Sequence, residues 1–104
     1  MLFVSANDYT GENAWDALDL VTFEQPATVR LHWTNAPYVW HVNDGEEVFV
    51  VLDGEVDMHY RERGVERTQA MRPGDICRAG PGDEHVAHPR GEARVLVVER
   101  QGSI

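Results

Sequence analysis

YVWHVNDGEEVFVVLDG, residues 38–54, is the stretch whose reading decides the fold. Tyr38 to Asn43 reads as a strand and Asn43-Asp44-Gly45 as a turn. Glu47 to Leu52 is then a strand that is apolar on both sides after its leading glutamate, closed by a tight Asp53-Gly54 turn. A strand apolar on both faces must be covered on both, so the stretch belongs inside a layered or closed β architecture.

Outward from there the period-two alternation continues, broken every eight to twelve residues by Gly, Pro, Asn or Asp. Upstream, Val29, Leu31 and Trp33 share one face of a strand and Arg30, His32 and Thr34 the other, which predicts that His32 faces water. Downstream, Val56, Met58 and Tyr60 alternate with Asp57 and His59, and His59 falls on the polar, exposed side. Arg61 to Gly64 is a charged hairpin tip, Val65 to Met71 a weaker strand, and Ile76 to Ala79 a short strand between two Pro-Gly turns. Glu84 to His88 and Arg94 to Glu99 complete the pattern, the last with a dense Val-Leu-Val-Val run expected of a buried strand. Gln101 to Ile104 is expected to fray. The expectation is an all-β barrel. Residues 1–21 form a lead-in, with Leu2 to Val4 as an edge strand and Ala14, Trp15 and Leu18 at helical spacing within 10–20, and residues 22–104 form the barrel, in one domain overall.

Within that pattern one polar cluster faces inward. Val42 separates His41 from Asn43, so both point to one face. The turn at Asp44-Gly45 is expected to return Glu47 on the neighbouring antiparallel strand. His85 follows a Gly-Pro-Gly turn in a segment where Val86 and His88 take the opposite face, so His85 looks inward and His88 is the spare, surface histidine. Glu46 and Glu47 are adjacent, face opposite sides and form no catalytic carboxylate pair. Two imidazoles and a carboxylate are donors that a divalent ion accepts, but the same three groups also satisfy one another as a buried hydrogen-bonded network.

These residues resemble the cupin superfamily. Trp40 to Gly54 is similar to its first motif, H-x-H, three or four residues, E, six residues, G, carried by His41, Asn43, Glu47 and Gly54. Gly74 to His85 is similar to the second, G, five residues, P-x-G, two residues, H, carried by Gly74, Gly80-Pro81-Gly82 and His85. The pattern runs from about Val29 to Glu99. It departs where Asn43 replaces the second histidine, Gly80 the usual proline, and Pro89 a trailing asparagine. The resemblance implies a jelly-roll barrel (a double-stranded β-helix) of the small single-domain kind that includes proteins similar to mannose-6-phosphate isomerase. It implies a divalent metal (Fe, Zn, Ni or Mn) held by His41, Glu47 and His85, with Asn43 a weak or water-mediated donor. It also implies a dioxygenase or isomerase chemistry on a small polar metabolite. The alternative is a binding or sensing module with a degenerate, metal-free site, and a third reading is a scaffold that contributes only a dimer interface. Of the aromatic residues read as core, Trp33, Tyr38 and Phe49 are the ones expected to line a ligand pocket.

Composition limits the partners. At 104 residues, 42% hydrophobic and 26% charged, the chain has room for one core. The formal charge of −9 opposes phosphate backbones and anionic lipid, so neither nucleic acid nor membrane is an expected partner. No apolar run approaches a membrane span, the first residues lack a signal-peptide pattern, and a cytoplasmic location is expected. Cys77, the one cysteine, reads as a small buried hydrophobe. Apolar strands on both faces of so short a chain predict a homodimer.

Overall fold

The computed structural model describes residues 1–14, 16 and 18–103. Its strands are β1 (Leu2–Ser5), β2 (Ala27–Thr34), β3 (His41–Val42), β4 (Glu47–Asp53), β5 (Val56–Glu62), β6 (Val65–Met71), β7 (Asp75–Ala79), β8 (Glu84–Pro89) and β9 (Ala93–Arg100), with one 3-10 turn at Ala6–Asp8. They form a five-stranded sheet, β1-β7-β4-β9-β2, facing a four-stranded sheet, β3-β8-β5-β6. The fold is all-β, as the alternation implied, and it is the jelly roll that the resemblance implied. Among the described residues no helix is long and apolar enough to cross a membrane.

The core lies between the sheets, where Phe49, Val51, Val95 and Val97 of one meet Val56, Met58 and Met71 of the other. Each comes from the inward parity of its strand, which is why short strands suffice to close a core. Gly54 makes the β4–β5 turn possible: its φ is +78°, and a Cβ there would stand 2.2 Å from the Glu92 carbonyl oxygen.

Four expectations change. First, the strand expected over Tyr38 to Asn43 shrinks to β3. It pairs with β8, not with β4, so Asp44-Gly45 carries the chain from one sheet to the other instead of closing a hairpin. Second, β2 is turned over. It pairs with β9 in a register that sets Arg30 against Val97, His32 against Val95 and Thr34 against Ala93. Cross-strand partners share a face, so burying Val95 and Val97 turns Arg30, His32 and Thr34 to the inner face, Arg30 still exposed and the other two half-buried, and leaves Val29 and Leu31 each 67% exposed. Third, no helix forms among the described residues of 10–20; Asp16 Oδ2 accepts the Glu12 and Asn13 N–H groups in a turn, and Trp15 lies outside the described residues. Fourth, the chain end is tied down as far as Ser103: Gln101 N–H bonds the Pro26 carbonyl and Ser103 Oγ donates to Asp44 at 2.6 Å.

Candidate functional site

Between the sheets lies a cavity of about 570 Å³ that opens to solvent. Phe49, Val56, Met58, Val95 and Val97 form its apolar wall, and His41, Glu47, His85 and Glu99 supply polar groups at its buried end. Trp33, Tyr38 and Phe49 all border the cavity; Trp33 and Tyr38 are exposed at its mouth, whereas Phe49 is buried in its wall.

The placement of the motif residues follows from backbone bonds between their two turns. Asn43 N–H bonds the Asp83 carbonyl at 2.8 Å, and Gly82 N–H returns to the Asn43 carbonyl at 2.9 Å. Gly82 adopts φ +88°, and Gly80 N–H is capped by Asp83 Oδ2 at 2.8 Å, so the Gly-Pro-Gly turn is shaped to meet Asn43. Register then sets His41 directly against His85, with ring centroids 4.4 Å apart. Glu47 approaches from the opposite sheet as the first residue of β4.

Asn43 is buried, and its side chain is oriented by its neighbours. Nδ2 donates to the Gly45 and Ala79 carbonyls at 3.1 and 3.3 Å, which leaves Oδ1 facing His85 Nε2 at 2.9 Å. An amide oxygen only accepts, so Nε2 carries the proton, and the other nitrogen, Nδ1, is buried without a partner. Burial, followed by the neighbouring His41, holds the His85 imidazole down at about 4. His41 Nδ1 stands 3.0 Å from the Val39 carbonyl, a bond that makes Nδ1 the protonated nitrogen and leaves Nε2 its lone-pair nitrogen.

Glu99 is the functional candidate that sequence reasoning missed. It is buried directly across from Glu47 on β9. Burial, with the Glu99 carboxyl beside it, pushes the Glu47 carboxyl up to about 8. Glu47 Oε1 is 3.5 Å from His85 Nε2, and with the acid raised and the imidazole lowered this contact joins two neutral groups at pH 7. The available signal was parity: Glu99 continues the inward series Ala93, Val95, Val97. The carboxyl pair thus exists, but it is Glu47 with Glu99; Glu46 points outward and holds Arg78 through two hydrogen bonds of 3.0 and 3.1 Å.

The other histidines occupy two places. His32, expected at the surface, is half-buried in the cavity wall. His59 and His88 do face outward, but half-buried and packed together with centroids 4.3 Å apart, His59 Nδ1 meeting Thr68 Oγ1 at 3.0 Å. Cys77 is buried in the core, and burial pushes its thiol up to about 12.

In donor type these residues fit a divalent ion. Two imidazoles and a carboxyl line one end of the cavity, and Asn43 Oδ1 and Glu47 Oε1 both lie within 3.5 Å of His85 Nε2. Among the described residues no three His, Cys, Asp or Glu side chains are already drawn together as ligands. Binding through His85 Nε2 requires its proton to leave, and the unpartnered Nδ1 is the nitrogen free to take it.

The family model described as "Cupin domain" matches residues 30–99. The chain is 34% identical over 62 residues to the 3-hydroxyanthranilate 3,4-dioxygenase of Bos taurus, a match covering 60% of this chain and 22% of that protein. It therefore spans about a fifth of that relative's length. The solved structure of a cupin-2 domain containing protein from Shewanella frigidimarina superposes with a TM-score of 0.65 at 20% identity, covering 88% of this chain and 85% of that one. Lactobacillus farciminis oxalate decarboxylase, solved as a formate complex, superposes with a TM-score of 0.63 at 16% identity, covering 73% of this chain and 24% of that one.

Proposed function

The chain belongs to the cupin family, and we propose that it binds a divalent metal ion through His41, Glu47 and His85 and a small molecule in the cavity beside it. The observation that carries this reading is that three donors selected by two separate motifs all line one open cavity. Asn43 serves as scaffold in this reading, since its Nδ2 is committed to the Gly45 and Ala79 carbonyls. A divalent ion held there supplies Lewis-acid or redox chemistry. The chain's own residues do the rest: Phe49, Met58, Val95 and Val97 exclude water from the ligand's apolar part. The name of the bovine relative favours a dioxygenase over an isomerase.

The test is metal analysis of untagged protein after separate supplementation with Fe, Mn, Zn and Ni. Near-stoichiometric uptake of one of them, lost in His41→Ala and His85→Ala, is expected; no uptake of any overturns the metal reading. A second reading, a metal-free ligand-binding module, is favoured by the bond between His85 Nε2 and Asn43 Oδ1, which occupies that nitrogen without an ion. Ligand binding that persists in metal-free protein supports it. A homodimer and a cytoplasmic location are part of the same proposal; the exposed apolar row Val29, Leu31 and Trp33 on the sheet-edge strand β2 supports the dimer.

A further inference from the structure

Arg30 and His32 have no role in the metal reading, yet they lie on the cavity side of β2. The strand has the reverse of an ordinary barrel wall: Val29, Leu31 and Trp33 face out, and Arg30, His32 and Thr34 face in. Polar side chains turned toward an interior need polar partners there, or they cost stability. Thr34 has one, donating from Oγ1 to the Ala36 carbonyl at 2.8 Å.

Arg30 does not. Arg61, Arg78, Arg90, Arg94 and Arg100 each hydrogen-bond a carboxylate. Among the described residues, the carboxylate beside Arg30 is Glu99, whose Oε1 is 3.9 Å from Nη1, beyond hydrogen-bond reach. Its side chain is 56% exposed while lining the cavity, which sets the guanidinium toward the mouth, above the buried Glu47, His85 and Glu99. His32 is two residues along the same face, about 7 Å away, so one oxyanion placed between them reaches both.

Resting on the proposed ligand-binding cavity, we propose that its ligand is a small organic anion. Its carboxylate or similar oxyanion is received by Arg30 and His32, and its apolar body lies on Phe49, Met58 and Val97. The opposite end of the molecule then meets His41 and His85. A guanidinium presents paired N–H donors that match a carboxylate's two oxygens.

Calorimetric titration of the protein as purified with benzoate, and with benzamide as its uncharged isostere, tests this. Benzoate is expected to bind more tightly by on the order of tenfold, the worth of one charge-assisted hydrogen bond. Arg30→Gln, checked for unchanged melting temperature and metal content, is expected to bring benzoate down to the affinity of benzamide, and His32→Gln to narrow the gap. Equal affinity of acid and amide overturns the proposal and leaves the ligand-binding cavity standing. A preference for benzoate that survives Arg30→Gln also overturns it, because the anion then sits on the metal or another group. If neither compound binds, the inference falls, and the cavity's wider reading falls with it only where metal analysis is also negative.

Discussion

Replacing Asn43 by alanine tests the scaffold role assigned to that residue. The substitution removes two donated bonds, to the Gly45 and Ala79 carbonyls, and the acceptor of the His85 Nε2 proton. The bond to Gly45 is only partly buried, so water replaces much of it; the other two are buried. A buried group stripped of its partner costs about 1 to 3 kcal/mol, so two of them, with a small contribution from the third, come to about 3 kcal/mol. For a domain near this size that lowers the melting temperature by roughly 15 °C. Urea unfolding followed by tryptophan fluorescence, with its slope unchanged, is the assay. A cost below about 1 kcal/mol would refute the reasoning, because unsatisfied groups at this depth cannot be that cheap. Where the variant stays folded, the proposed metal uptake should persist; uptake lost with the fold intact would count against a purely scaffold role for Asn43.

Three further outcomes are expected. In protein held free of divalent ions by a chelator, Glu47 has its folded value raised from 4.5 to about 8, so its stabilising contribution is complete below 4.5 and is lost as pH rises through 8. The stability difference between wild type and Glu47→Gln should therefore slope by about 1.4 kcal/mol per pH unit across that window, and a flat difference in denaturant midpoints would contradict the buried carboxyl pair. Cys77, its thiol pushed up to about 12 in the core, should resist alkylation by iodoacetamide at pH 8 until the protein is unfolded; rapid labelling of native protein would place it elsewhere. Leu31→Glu puts a charge on the outward row of β2, and sedimentation velocity should show a dimer converted to a monomer, whereas a wild-type monomer at micromolar concentration rules out the dimer.

Much of the molecule was legible residue by residue. Alternation is local, because successive side chains on a strand point to opposite faces whatever the strand pairs with. It therefore located β4 through β9 nearly in place, with shifts of a residue or two at the ends. Turn chemistry is local as well. The Asp53-Gly54 and Gly80-Pro81-Gly82 turns are written in residues that tolerate those backbone angles, and they carried Glu47 and His85 into the motifs that identify the family.

Which face of a strand is the inside, and which strand lies beside it, are properties of pairing between segments distant in sequence. The alternation of β2 is equally regular with His32 inside or outside; the register with β9, whose Val95 and Val97 face the core, decides. Asp44-Gly45 reads as a hairpin turn in isolation and serves as a crossing between sheets, because β3 finds its partner in β8. Glu99 looks like the polar end of a buried strand until β9 sets it against Glu47. The sequence alone thus determined most of the strands, the family and the candidate donors His41, Glu47 and His85. Only the tertiary structure decided that Asn43 is bound into the scaffold, that two carboxyls share the buried end of the cavity, and that Arg30 and His32 look into it, since a side chain's surroundings are set by contacts that no local pattern contains.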